Sequence, residues 1–106
     1  MFLLLTVYCI GISFTNSTFS FSASSSGDGG VAYLDSCSSV TYTDCSFKDT
    51  LAAGGGALVF VSTFDIVVDN CTFERNFGNY YGGAVKLQDA QASISNSRFR
   101  DNVGMQ

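Results

Sequence analysis

The chain has 106 residues, a formal net charge of −4 and no histidine. Without histidine these residues cannot form a Ser-His-Asp or Cys-His catalytic arrangement, and the four cysteines include no CxxC pair of the kind that holds zinc. The acidic balance disfavours nucleic-acid binding, which depends on Lys and Arg neutralising phosphates. The sequence therefore predicts no metal, no cofactor and no nucleic-acid partner.

The first element is the apolar run MFLLLTVYCIGIS, over residues 1–13. It has the length of an export signal, but no Lys or Arg precedes it, and it is too short to span a membrane. Aligning the later repeats places Leu4, Cys9 and Ile12 at positions that recur along the chain. We interpret the run as part of a β-coil, with a signal peptide as the alternative.

From residue 12 onward the chain repeats every 26 to 28 residues. Each unit closes on a phenylalanine at a constant position: Phe19, Phe47, Phe73 and Phe99. A second phrase, two glycines followed by an apolar stretch, begins at Gly29, Gly55 and Gly82. A fixed period of this size is typical of stacked supersecondary units.

Within each unit the apolar residues alternate with period two, which is typical of strands with one buried face. The columns predicted to point inward are Ala32/Leu58/Val85, Leu34/Phe60/Leu87, Val40/Ile66/Ala92 and Tyr42/Val68/Ile94. Those predicted to point outward are Tyr33/Val59/Lys86 and Thr41/Val67/Ser93. About three short strands per unit, stacked unit on unit, predict an all-β fold: a parallel β-helix of about four coils.

Polar residues also recur in register. One turn carries the column Asn16, Asp44, Asn70 and Asn96, and asparagine suits such a turn because it tolerates the left-handed backbone. We predict that this column and the phenylalanine column form structural ladders. Two neighbouring columns of charge alternate in sign, Lys48/Glu74/Arg100 and Asp49/Arg75/Asp101. Alternating signs favour pairing between neighbouring strands, so we interpret these charges as structural.

The repeat aligns the four cysteines in pairs. Cys45 and Cys71 share an inward position one coil apart, and Cys9 and Cys37 share a position beside a turn. Four cysteines allow three pairings. If any pair is bridged, we predict Cys9–Cys37. Cys45 and Cys71 are interpreted as two small buried thiols, because serine fills the same position in the flanking coils.

Four short motifs carry a family resemblance: GGAL at 55–58, GGAV at 82–85, FERN at 73–76 and FRDN at 99–102. They resemble the GGA[ILV] and FxxN signatures of polymorphic outer-membrane protein repeats, over about residues 12–104. The match weakens in the first units, where Phe47 leads into Lys-Asp-Thr. The resemblance implies a right-handed parallel β-helix, as the handedness of parallel crossovers also favours. It further implies a secreted or cell-surface protein, in the outer membrane if bacterial, with adhesion or carbohydrate contact as the usual roles.

We expect residues 1–106 to be a single β-helix domain within a longer array, because neither end carries an amphipathic cap. Three functions remain open at this point. Tyr33, Tyr80 and Tyr81 are weak candidates for binding glycans or surface proteins of a host or neighbouring cell. A stalk would need no site at all.

The third function is a polysaccharide-degrading enzyme, because many β-helices resemble pectate lyases or polygalacturonases. Glycoside hydrolysis needs two carboxylates at a defined separation. The candidate pairs are few, Asp69 with Glu74 and Asp89 with Lys86, and neither stacks two acids on one face. The sequence therefore favours a non-catalytic role.

Overall fold

The structure, a computed structural model, describes residues 4–20, 23–24, 31–52, 56–78 and 83–104. Coil 1 contains β1 (Leu4–Val7), β2 (Ile10–Thr15), β3 (Thr18–Ser20) and β4 (Ala23–Ser24). Coil 2 contains β5 (Ala32–Asp35), β6 (Ser38–Thr43), β7 (Ser46–Lys48) and β8 (Leu51–Ala52). Coil 3 contains β9 (Leu58–Val61), β10 (Phe64–Asp69), β11 (Thr72–Glu74) and β12 (Phe77–Gly78). Coil 4 contains β13 (Val85–Gln88), β14 (Ala92–Ser95), β15 (Arg98–Arg100) and β16 (Val103–Gly104).

Corresponding strands of successive coils pair in parallel and form four sheets: β1-β5-β9-β13, β2-β6-β10-β14, β3-β7-β11-β15 and β4-β8-β12-β16. Each sheet holds four strands, so three turns of the solenoid connect four stacked levels. The predicted fold class, an all-β parallel solenoid, is confirmed. The prediction of about three strands per coil is wrong, because each coil also contains a fourth strand of two residues. Two residues are too few to show an alternating pattern.

The phenylalanine column runs through the core. Neighbouring ring centroids lie 5.1 Å apart for Phe19 and Phe47, and 4.7 Å apart for both Phe47–Phe73 and Phe73–Phe99. Phe47 and Phe73 are fully buried, whereas Phe99 is 47% exposed. Leu87 and Ile94 hold positions predicted to point inward and are likewise exposed. All three exposed residues belong to the last described coil, which has a neighbouring coil on one side only.

One column departs from the predicted orientation. Val59 was expected to face outward, yet its side chain is fully buried. The strand register places it between Tyr33 and Lys86, whose longer side chains are themselves partly buried. The position of Val59 on the outer face is therefore covered, and period-two alternation alone does not reveal this burial.

The predicted asparagine ladder lies on the surface. Asn16, Asp44, Asn70 and Asn96 all have positive φ, between 50° and 55°. Asn70 Nδ2 donates to Asp44 Oδ1 at 2.6 Å, and Asn96 Nδ2 donates to Asp69 Oδ1 at 3.0 Å. These residues make the turn that separates the second sheet from the third, and all four are exposed to solvent.

A second polar ladder, which the sequence analysis missed, is buried. Asn76 is 1% exposed, and its Oδ1 accepts from the backbone nitrogen of Thr50 at 3.2 Å and from Thr50 Oγ1 at 2.7 Å. Its Nδ2 donates to the Phe47 carbonyl at 3.1 Å and to Asn102 Oδ1 at 2.9 Å. The asparagine of the FxxN motif thus joins three successive coils from the inside.

Gly56 and Gly83, the second glycines of two of the recurring pairs, leave room for another backbone. A Cβ atom at Gly56 would overlap the carbonyl of Gly83, and a Cβ at Gly83 would overlap the backbone of Val103. Neither glycine has the positive φ that excludes other residues. Gly56 therefore permits close approach to the backbone of the next coil, and Gly83 permits close approach to Val103 at the end of coil 4. Neither glycine serves an unusual backbone conformation.

We expect Gly56→Ala to lower the free energy of unfolding by about 2 kcal/mol or more, because two backbones must separate to admit the methyl group. Urea denaturation measures this effect. The matched control is Gly11→Asn, because the space around Gly11 is open and asparagine tolerates its positive φ of 76°. A Gly56→Ala protein as stable as the parent would refute the close approach.

Candidate functional site

The corner between the first and second sheets is built in the same way in coils 1 to 3. A residue with positive φ ends the strand and begins the turn: Tyr8, Ser36 and Ser62, at 62°, 58° and 48°. The next residue points inward, and these residues form the column Cys9, Cys37 and Thr63. The chain then enters the second sheet at Ile10, Ser38 and Phe64.

The inner side of this corner is cross-linked and hydrogen-bonded. Cys9 and Cys37 form a disulfide with their Cα atoms 4.5 Å apart, which is the pairing considered from the sequence. Thr63 continues the column: its Oγ1 accepts from the Cys37 nitrogen at 3.3 Å and donates to the Val61 carbonyl at 2.8 Å. The corner is therefore held rigidly across three coils.

The outer side of the corner carries exposed apolar side chains. Tyr8 is 82% exposed, Ile10 is 84% exposed and Phe64 is 50% exposed. Ile10 and Phe64 flank Ser38 in the strand register, so a small residue separates two large ones. Together with Ser36, Ser62 and the disulfide they line a shallow cavity of about 390 Å³, which we call the corner cleft.

The corner cleft was missed because a local backbone feature reverses the alternation. Gly11, Ser39 and Asp65 have positive φ, at 76°, 57° and 58°. Their left-handed conformation lets Ile10 face solvent although Ile12, two residues later, packs against the core. Gly11 and Asp65 belong to residue types that favour this conformation, so they carried the signal that could have located the cleft.

Among the tyrosines predicted to bind ligands, Tyr33 is described by the structure and does not line the cleft. Tyr33 lies in the outer column of the first sheet, where it is partly buried and engaged with other groups. Tyr80 and Tyr81 lie outside the described residues. The candidate site therefore rests on Tyr8 and Phe64 rather than on the aromatic residues that the sequence singled out.

The first candidate acid, Asp69, is held in a hydrogen-bonded ladder. Its Oδ1 accepts from Asn96 Nδ2 at 3.0 Å and from Ser95 Oγ at 3.1 Å. The hydrogen bond from Asn96, followed in size of effect by that from Ser95, lowers the pKa of the Asp69 carboxyl below its ordinary value. A general acid in glycoside hydrolysis needs the opposite, a raised pKa.

The second candidate acid, Glu74, belongs to a surface network of ion pairs. It contacts Arg75 Nη1 at 2.8 Å and Arg100 Nη1 at 3.9 Å. Arg75 also holds Asp49 by two hydrogen bonds, at 2.8 and 3.2 Å, which lower the pKa of the Asp49 carboxyl. Lys86, the proposed partner of Asp89, is partly buried and engaged with other groups.

The described part of the chain carries neither of two features that would mark a metal site or a membrane span. There, no three His, Cys, Asp or Glu side chains cluster closely enough to hold a metal ion. Among the same residues, no helix is long and apolar enough to cross a membrane.

A family model described as a right-handed β-helix region matches residues 6–106. The chain belongs to this right-handed β-helix family. The match spans all four coils, and it gives the handedness that the strand pairing alone leaves open. The β-helix expected from the repeats is thus confirmed. A comparison with curated proteins finds no match to this β-helix.

Proposed function

We propose that this chain is a non-catalytic β-helix region of a secreted or cell-surface protein, and that it recognises a neutral glycan through the corner cleft. The observation that carries the proposal is that two exposed aromatic residues, Tyr8 and Phe64, line the same cleft as three serines. The resemblance to polymorphic outer-membrane protein repeats fits this role, because such proteins are displayed at cell surfaces.

The chemistry of the cleft suits a sugar ring. Aromatic faces supply large apolar contacts to the C–H groups of a sugar, and hydroxyls can donate to or accept from its OH groups. Ser36 Oγ already donates to Asp35 Oδ1 at 3.0 Å, so its oxygen remains available as an acceptor. None of the described residues that line the cleft is charged. This favours a neutral ligand over an anionic one.

The Cys9–Cys37 disulfide supports the proposed secreted or cell-surface location. Disulfides persist in oxidising environments and are rare in the cytosol. Cys9 and Cys37 themselves line the cleft, so the same bond also constrains the backbone beside Tyr8. A secreted or surface-displayed β-helix accounts for the presence of this disulfide.

Polysaccharide cleavage is less well supported than binding. Asp69 and Glu74 both serve ladders between coils, and the lowered pKa of Asp69 keeps it ionised at neutral pH. We therefore assign these carboxylates to stability rather than to catalysis. A stalk without any site shares the same scaffold, and binding measurements separate the two functions.

The test is retention on immobilised neutral hexose polymers such as mannan, followed by calorimetry with the oligosaccharide that binds. We expect Tyr8→Ala and Phe64→Ala each to weaken affinity about tenfold, which corresponds to about 1.4 kcal/mol. The control is Val67→Ala, which removes another exposed apolar side chain from β10, outside the cleft. Equal retention of all three variants would refute the cleft, and no retention of the parent on any neutral polymer would favour a stalk.

A further inference from the structure

The corner that carries Cys45 and Cys71 is built like the corner that carries the Cys9–Cys37 disulfide. Each of the four cysteines is followed by a strand of the next sheet. Each is preceded by a residue with positive φ: Tyr8, Ser36, Asp44 and Asn70, at 62°, 58°, 55° and 53°. The two cysteine pairs therefore have the same local backbone.

The hydrogen bonds between coils also match. At the bridged corner, the Ser38 nitrogen donates to the Cys9 carbonyl at 2.9 Å. At the other corner, the Thr72 nitrogen donates to the Cys45 carbonyl at 2.9 Å. These bonds set the same register between successive coils, so Cys45 and Cys71 are aligned as the bridged pair is.

The sulfur atoms occupy similar places. The bridged Cys37 Sγ lies 3.5 Å from the carbonyl oxygen of the residue two positions before it. The Sγ atoms of Cys45 and Cys71 lie 3.3 Å from the equivalent oxygens. Both cysteines are free thiols and buried in the structure. Each sulfur also contacts the preceding coil: Cys45 Sγ lies 3.5 Å from the Phe14 carbonyl oxygen, and Cys71 Sγ lies 3.4 Å from that of Tyr42.

We propose that Cys45 and Cys71 are a second disulfide site, which joins coil 2 to coil 3 as Cys9–Cys37 joins coil 1 to coil 2. Each thiol loses one proton and one electron, and a bond forms between the two sulfur atoms. The electrons pass to a small disulfide oxidant such as oxidised glutathione, which is released as two thiols. The exchange runs through a mixed disulfide between one cysteine and the oxidant.

The bond forms while the coils assemble. Burial of both side chains keeps a glutathione-sized oxidant away once the coils have closed. Burial also raises the pKa of the Cys71 thiol, so little of the reactive thiolate is present in the folded chain. Oxidation of the pair therefore belongs to folding and not to the finished β-helix.

The experiment is to reduce and denature the full chain, refold it in a glutathione redox buffer, and label free thiols with N-ethylmaleimide in denaturant. Intact-mass measurement should find no labelled cysteine. Digestion with trypsin, which cuts after Lys48 and Arg75, should leave the Cys71 peptide 49–75 linked to peptide 1–48. Labels on both Cys45 and Cys71 beside an intact Cys9–Cys37 bond would overturn the proposal.

Two variants test whether Cys45 pairs with Cys71. The double variant C9S/C37S contains only the proposed pair, and it should also emerge from refolding without a label. Cys45→Ser leaves Cys71 alone and should take up one label. Serine is expected to fit at position 45, because Ser17 and Ser97 hold the same column in the flanking coils. Two labels on the refolded double variant would overturn the proposal as well.

Discussion

Replacing Asn76 with alanine is expected to lower the free energy of unfolding by about 3 to 5 kcal/mol, because several buried polar groups lose their partners together. The side chain of Asn76 makes four hydrogen bonds, to Thr50, Phe47 and Asn102. In its absence the buried nitrogen and hydroxyl of Thr50 lose their acceptor, and the carbonyl of Phe47 loses a donor. Each such group costs about 1–3 kcal/mol.

The control for this prediction is another asparagine of the same coil. Asn70 is exposed, and its amide makes one hydrogen bond, to Asp44. Asn70→Gly removes that amide without straining the positive φ of 53°, so we expect a loss of about 1 kcal/mol at most. Denaturation midpoints in urea compare the two proteins. Equal losses of unfolding free energy in the two variants would show that burial does not determine how much Asn76 stabilises the fold.

A second variant separates hydrogen bonding from packing. Asn76→Asp keeps the volume but turns an oxygen toward the Phe47 carbonyl and Asn102 Oδ1, where the amide nitrogen had donated. We expect it to be at least as damaging as alanine at neutral pH. If aspartate instead preserved stability, the loss in Asn76→Ala would be due to a cavity.

Replacing Phe73 with alanine is expected to cost about 3 to 5 kcal/mol, the range for removing a fully buried aromatic ring. Phe73 is 0% exposed and lies between two parallel rings, with interplanar angles of 9° to Phe47 and 2° to Phe99. The change removes apolar burial and also leaves a cavity that the neighbouring coils cannot close without breaking their register.

Phe99→Ala is the matched control, because it removes the same ring from the same column at a position that is 47% exposed. We expect it to cost less than half as much, since part of the ring is already in water. Phe73→Leu should recover most of the loss, because leucine refills much of the cavity. If Phe99→Ala proved as costly as Phe73→Ala, the column would not be stabilised by burial.

The architecture could be predicted because the repeat makes each coil a copy of its neighbour. The positions of Phe19, Phe47, Phe73 and Phe99 set the register, and the paired glycines located the first sheet. Charge alternation likewise anticipated the contact between Arg75 and Asp49. These features depend on residues one coil apart, and a period makes such pairs visible in a single sequence.

The candidate site could not be predicted in the same way, because it depends on local departures from the repeat. Positive φ at Gly11 and Asp65 reverses the expected orientation, and strict alternation hides this. Asn76 was noticed as part of a motif, but only the structure shows that it is buried. Val59 illustrates the reverse case, an outward position that longer neighbouring side chains cover.

The disulfide of the first corner has a mechanical consequence. Coils of a solenoid contact only their neighbours, so a chain under tension can be peeled away one coil at a time. The disulfide between Cys9 and Cys37 closes a loop between two residues that are 28 positions apart in the sequence. An extended residue spans 3.3–3.6 Å, so a pulling force cannot extend roughly 95 Å of chain while the disulfide is intact. The two cysteines that line the corner cleft thus form a clamp that keeps coil 1 attached to coil 2 while more distant coils unravel.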